Sequence, residues 1–147
     1  MLETHIKSFQ DLTINELYDI LQLRSEVFVV EQDCVYQDID GKDKKALHVL
    51  GYHDANLVAY TRIFQKGDYL EEASIGRVVV SAEARKHSFG KDIMNSSIEA
   101  VSKHFNTSTI VLSAQTYLKR FYNNLGFIEV GEEYLEDGIP HIKMRRN

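Results

Sequence analysis

Arg77-Val78-Val79-Val80-Ser81-Ala82-Glu83-Ala84-Arg85-Lys86-His87-Ser88-Phe89-Gly90-Lys91 runs from an apolar segment, through a cationic loop, into a segment of helical periodicity. The β-branched run from Ile75 to Val80 suits a strand buried on both faces. The loop reads Arg85-x-x-Ser88-x-Gly90-Lys91. Ser88 and Gly90 are small, so a ligand can come close to the backbone there. The unbonded N–H groups of a helix start, the helix dipole and the charges of Arg85, Lys86 and Lys91 all favour a phosphate. The stretch is an anion cradle between a buried strand and a helix.

Working outward, the remaining elements alternate without a linker or a repeat. Thr4 to Phe9 reads as a first strand. Thr13-x-x-Glu16 is a capping-box pattern, and Leu17, Ile20, Leu21 and Phe28 continue an apolar helical face. Cys34 to Lys45 is polar and acidic and reads as a loop over the site. Leu47 to His53 and Leu57 to Phe64 form a hairpin through Asp54-Ala55-Asn56, and a strand follows at Ala73 to Val80. A helix from about Phe89 to Phe105 presents Ile93, Ile98, Val101 and Phe105 inward. Thr109 to Ala114 is a buried strand, Thr116 to Leu125 a short helix, and two last strands flank Gly138-Ile139-Pro140. The order is β-α-β-β-β-α-β-α-β-β.

Composition bounds the function. A chain of 147 residues has the size of a single domain, 1–147, and can bury a substantial core. Its hydrophobic share of 44% and charged share of 27% are ordinary for a soluble protein. A net charge of −5 gives no footprint for nucleic acid. Lys42-Asp43-Lys44-Lys45 and Arg145-Arg146 are expected in solvent. No run approaches the roughly 18 apolar residues of a membrane helix, and Glu3, His5 and Lys7 replace the apolar core of a signal peptide. Cys34 is the single cysteine, which fits a reducing cytoplasm.

Further along, Gln115-x-x-x-x-x-Phe121-Tyr122-x-x-x-Gly126-Phe127 adds a second motif. Loop and motif together resemble the GNAT acyltransferases. In that family a loop Arg/Gln-x-x-Gly-x-Gly/Ala binds pyrophosphate, and a later Phe/Leu-Tyr-x-x-x-Gly-Phe segment sets a tyrosine at the thioester sulfur. Ser88 stands where the first loop glycine is usual, and its hydroxyl could cap the helix or bond a phosphate oxygen. Leu23-Arg24-x-x-Val27-Phe28-Val29-Val30-Glu31-Gln32 and Glu136-Asp137-Gly138-Ile139-Pro140-His141-Ile142 are similar to the ElaA-like branch. The resemblance runs from about Leu12 to Arg145.

The resemblance implies an α+β, three-layer αβα fold, with a mixed, mostly antiparallel, twisted sheet of about seven strands flanked by helices. It implies acetyl-CoA as cosubstrate; beside it the expectation is a small amine as acceptor, no metal, and a monomer or homodimer. Val78, Val79 and Val80 would offer the backbone N–H that stabilises the oxyanion, beside a splay near Ser113 to Gln115. Arg85, Lys86, His87, Ser88, Phe89, Gly90 and Lys91 would hold the pyrophosphate, with Gln115 and Phe121 along the pantetheine. Tyr122 would protonate the leaving thiolate, its other reading being a core tyrosine.

The attacking amine needs a base. His141 is the leading candidate, against a purely structural role, with Glu31 and Glu136 behind it. Phe28 and Glu31 border the acceptor side. Arg24 and Arg77 could bind an acceptor carboxylate; for Arg77, on a strand of otherwise buried character, an internal ion pair is the alternative. Asp38-x-Asp40-Gly41-x-Asp43 lacks the ligand order of a calcium loop and reads as a solvated turn. His48 and His53 differ in strand parity, so they do not form a metal pair. The expected activity is acetyl-CoA-dependent N-acetyl transfer. An acyl-homoserine-lactone-synthase-like enzyme and a non-catalytic acyl-CoA-binding module are the alternatives.

Overall fold

In the computed structural model, which describes residues 1–147, the run Ala73–Val80 is the middle strand of a seven-stranded sheet. The elements are β1 (Glu3–Ser8), α1 (Ile14–Arg24), β2 (Leu47–His53), β3 (Asn56–Phe64), β4 (Ala73–Val80), α2 (Phe89–Phe105), β5 (Ile110–Gln115), α3 (Lys119–Asn123), β6 (Ile128–Glu136) and β7 (Ile139–Arg146). Their spatial order is β1-β2-β3-β4-β5-β7-β6. Every neighbouring pair is antiparallel except β4 and β5. The expected mixed sheet and element order are those observed.

Strand alternation explains the three layers. Along β2 and β3, Val49 and Ala59 face one core, while Leu50 and Tyr60 face the other. The larger core collects Ile93, Met94 and Val101 of α2 with Ile63, Ile75, Ile110 and Leu112. The smaller one collects Ile20 and Leu23 of α1 with Val27, Leu50, Tyr60 and Val79. A strand buried on both faces must be apolar throughout, as Ile75 to Val80 nearly is. Thr13 accepts from the Glu16 N–H at 3.1 Å while Glu16 accepts from the Thr13 N–H at 2.8 Å, so the capping box forms as read. No helix is long and apolar enough to cross a membrane.

Three local readings change. The apolar face expected to run from Leu17 to Phe28 is broken after Arg24, where Ser25–Glu31 winds as a π-helix. The final hairpin turns at Asp137 and Gly138, both at positive φ (52° and 78°), so Pro140 lies within β7 and not in the turn. Pro140 is tolerated there because the β5 ladder ends at Gln115↔His141, so at Pro140 the strand is paired with β6 alone. Arg145 and Arg146 are not merely solvated: Arg145 lies 2.8 Å from Glu72, and Arg146 Nε donates to the Leu125 carbonyl at 2.9 Å.

The acidic run 38–43 is the largest correction. It is not a solvated turn, since Asp38 and Asp43 are 8% and 7% exposed. Asp43 Oδ1 accepts from Arg24 Nη1 at 2.8 Å and from Arg62 Nη1 at 2.9 Å. Arg24 Nε donates to Asp38 at 2.9 Å, and Arg62 Nη2 to Asp40 at 2.7 Å. Arg77 Nε lies 2.8 Å from Asp38 Oδ1, an ion pair without hydrogen-bond alignment, and its Nη2 donates to the Asp38 carbonyl at 3.0 Å. Buried guanidinium groups demand such partners. His48 extends the cluster. Its Nε2 donates to the Asp43 carbonyl at 2.9 Å, which fixes the tautomer, so Nδ1 accepts from Tyr60 Oη at 2.6 Å.

Burial pushes the Asp40 and Asp43 carboxyls upward, but the hydrogen bonds and charges of Arg62 and Arg24 outweigh it and hold both well below the usual range. Carboxyls lowered in the folded state add stability above the unfolded value near pH 4, and that stability is lost as pH falls through the folded values. Urea midpoints are therefore expected to drop between about pH 5 and pH 2. Asp43→Asn removes the carboxylate shared by two buried arginines and should cost about 3–5 kcal/mol at neutral pH, with a shallower acid slope. A loss under 1 kcal/mol would contradict the network's structural role.

Candidate active site

β4 and β5 pair only at Ala73↔Ile110 and Ser74↔Val111, and beyond these residues the ladder ends. A β-bulge helps part them. Tyr60 pairs with Val79 and Arg62 with Gly76, so Thr61 faces both Arg77 and Val78. Arg77 takes φ +50°, a left-handed conformation that costs a non-glycine residue roughly 1 kcal/mol. The ion pairs to Asp38 and Asp40 hold it there. The parted strands open a cleft of about 850 Å³, lined by Gly76 to Val80 on one side and Leu112, Ser113 and Gln115 on the other.

The loop after β4 enters the cleft unevenly. Arg85, Ser88, Gly90 and Lys91 line it, whereas Lys86, His87 and Phe89 do not. Phe89 is 2% exposed and points into the fold, stacked on His87 with ring centroids 5.1 Å apart and near His53 at 5.0 Å. It anchors the start of α2. Lys86 is exposed and does not border the cleft. Ser88 sits at φ +61°, the conformation for which glycine is usual, and its side chain makes no cap hydrogen bond. The hydroxyl expected to cap the helix thus remains uncommitted. A Cβ built on Gly90 would meet only Phe121 at 3.4 Å and Val80 at 4.0 Å, an ordinary contact. Packing within the chain does not require glycine there; a group lying against the backbone would.

Arg85 is already engaged. Its guanidinium pairs with both carboxylate oxygens of Glu31, across the cleft from the π-helix. That hydrogen bond, more than any burial, holds the Glu31 carboxyl below its ordinary range. A carboxylate so lowered is a poor base near neutral pH.

Tyr122, on α3, borders the cleft at 5% exposure, with Phe121 edge-on at 5.0 Å. Burial raises the phenol above the usual tyrosine range, with neighbouring Tyr117 adding to it, so the proton is held at any working pH. His141 stands opposite Gln115 in the β5–β7 ladder and is 7% exposed. Its Nδ1 lies 2.7 Å from the Ile139 carbonyl. A carbonyl only accepts, so Nδ1 carries the proton and Nε2 is the basic nitrogen. Glu136 Oε2 lies 3.5 Å from that Nε2.

Of the residues expected at the acceptor, Phe28, Glu31, Arg77 and His141 line the cleft. Arg24 does not. It is 0% exposed and wholly committed to Asp38 and Asp43, so no acceptor carboxylate can reach it. Sequence reasoning missed Gln32, Cys34, Tyr36 and Tyr117, which also border the cleft. Gln32 could have been found from Gln115, whose Nε2 donates to it at 3.3 Å, only with the tertiary fold in hand.

Comparison with known proteins agrees with this geometry. The family model for the acetyltransferase (GNAT) domain matches residues 10–147. The protein ElaA of Escherichia coli is 45% identical over 148 residues, spanning 99% of this chain and 97% of that one. Its crystal structure superposes with a TM-score of 0.92 at 44% identity and full coverage of both chains. The structure of an acyl-CoA N-acyltransferase from Pseudomonas aeruginosa gives 0.94 at 42% identity, again with full coverage of both. The AHL synthase LasI, at TM-score 0.75 and 16% identity over 99% of this chain and 89% of that one, shares the fold alone. The chain belongs to the GNAT acyltransferase family, in its ElaA-like branch.

Proposed function

We propose that this acyltransferase uses acetyl-CoA and transfers the acetyl group to a primary amine of a small acceptor by direct attack. The observation that carries the reading is the cleft between β4 and β5. It begins under the N-terminus of α2 at Gly90 and reaches a buried phenol on the way to a basic imidazole nitrogen. Lys91, Arg85 and the α2 N–H groups would hold the pyrophosphate, Arg85 exchanging Glu31 for phosphate. Pantetheine would then lie in the slot, its amide groups meeting the strand edges that lack a ladder partner.

In the reaction the amine nitrogen attacks the thioester carbon, and the carbonyl oxygen gains charge. A backbone N–H among Val78, Val79 and Val80 would stabilise that oxyanion, since β4 is already bent away from β5. The C–N bond forms and the C–S bond breaks. The sulfur leaves as thiolate and takes the Tyr122 hydroxyl proton. A phenol with a raised pKa gives up its proton only to a strong base, and a thiolate in the same dry slot is one. The amine's surplus proton goes to His141 Nε2. Solvent then reprotonates the phenolate and relieves the imidazolium.

Three measurements bear on this. Gly90→Asp puts a side chain and a negative charge in the cradle, and calorimetry should detect no acetyl-CoA binding; Ser88→Gly relieves the left-handed serine and should retain it. Unchanged affinity in Gly90→Asp would mean the phosphates bind elsewhere. Tyr122→Phe keeps the ring and removes the donor, so acetyl-CoA affinity should hold while kcat falls by roughly 10²-fold. Equal turnover, with chemistry rate-limiting, would remove the general-acid role. Protonated His141 cannot accept a proton, so activity should fall on the acidic side, and His141→Ala should lower kcat/KM and erase that ionisation. An unaltered acidic limb in the variant would exclude His141 as base.

A further inference from the structure

The charges lining the cleft sort by position. Lys91 and Arg85 stand on the α2 side. Glu136 and Asp137 stand on the β6–β7 hairpin side, beside His141. Between them the two arginines that might have met an acceptor carboxylate are committed, Arg24 to Asp38 and Asp43, and Arg77 to Asp38 and Asp40. Glu31 is held by Arg85 until the pyrophosphate takes that guanidinium, and then adds a further carboxylate to the cleft. No lysine or arginine pairs with Glu136 or Asp137. Glu136 Oε1 accepts from Ser113 Oγ at 3.2 Å, while Oε2 approaches only His141 Nε2, at 3.5 Å.

His141 supplies an independent observation. The residue is more than nine-tenths buried and borders the cleft, yet its Nε2 makes no hydrogen bond. Unlike Arg62 Nε and Arg77 Nε, which are enclosed and without a hydrogen bond, this nitrogen is open to the cleft, where a ligand N–H can complete it. Hydrogen bonds of about 3 Å to Nε2 and to Oε2, added to the gap between them, let two ligand nitrogens lie up to roughly 9 Å apart. That is the span of a short aliphatic diamine.

We propose that the acceptor is an aliphatic di- or polyamine without a carboxylate, its reacting nitrogen at His141 Nε2 and its second ammonium at Glu136 Oε2. The inference rests on the acetyltransferase reading and names the acceptor class of that same site. The reacting amine must shed its charge to attack, so an acidic rim gains nothing lasting from it. A second ammonium keeps its charge throughout and is held by Glu136 in ground and transition states alike. An acceptor carboxylate would instead meet two carboxylates and no uncommitted guanidinium, which selects against amino acids. The net charge of −5 further favours the approach of a polycation.

Three amines of equal carbon spacing test it: putrescine, butylamine and γ-aminobutyrate, which present a cation, nothing and an anion at the far end. Acetyl-CoA binding is measured first by calorimetry, then thiol release with each amine. Putrescine should exceed butylamine in kcat/KM by about tenfold or more, and γ-aminobutyrate should fall below both. Glu136→Gln, at a half-exposed side chain, should lower kcat/KM for putrescine about tenfold further than for butylamine, chiefly through KM. Equal values for the three amines overturn the proposal, as do equal effects of Glu136→Gln on both, or bound acetyl-CoA with none of the three acetylated. In those cases the acetyl-CoA reading stands. Failure to bind acetyl-CoA removes that reading, and the acceptor class with it.

Discussion

A parallel strand pair that starts at Ala73↔Ile110 and ends at Ser74↔Val111 leaves the rest of both edges without backbone partners. In a sheet interior this is unfavourable, since each N–H and C=O there has lost water and gained nothing. The fold tolerates it only because the opening is wide enough for a ligand, about 850 Å³, and because other contacts hold the strands apart. The bulge at Arg77 bends β4, and β7 takes the far edge of β5 along its whole length. Everything in the site is arranged around that opening. Gly90 and Lys91 lie where α2 begins beside it, Tyr122 where α3 packs on it, and His141 where β7 crosses toward Gln115.

The arginine–aspartate cluster serves the same opening from behind. Three guanidinium groups from α1, β3 and β4 are bound by three carboxylates from one loop. The charges balance, so the cluster adds no net charge beside the cleft. Its hydrogen bonds tie the loop 38–43 down across three elements, which fixes the bulge that Arg77 occupies at positive φ. A cluster of this kind is expensive to break, because each lost partner strands a buried charge. Its effect on stability is thus also an effect on site geometry.

Much of this was legible in the chain, for reasons that differ by element. Ile75 to Val80 could be read as a doubly buried strand because β-branched runs have few other uses. The α2 start was legible because Gly90 and the lysine after it mark an anion site by local chemistry alone. The break after Arg24 was not, since a π-turn keeps the apolar spacing of an α-helix within a residue or so. Phe89 and Phe121 have the same composition signal, yet one anchors the core and the other borders the cleft. Asp38, Asp40 and Asp43 looked like a solvated turn because their partners, Arg24, Arg62 and Arg77, lie 14 to 39 residues away in sequence. Long-range ion pairs leave no local trace. For the same reason Arg24 was read as open to a ligand when it was already spoken for.

Amide NMR of the wild-type protein during titration with acetyl-CoA tests the central claim most directly, because it reports on the unpartnered backbone itself. The account predicts saturable shifts at Gly90 and Lys91, at Val78 to Val80 on β4 and at Ser113 to Gln115 on β5, with β1 and β2 unmoved. Saturable binding whose shifts fall outside the β4–β5 opening, leaving those amides in place, would contradict it.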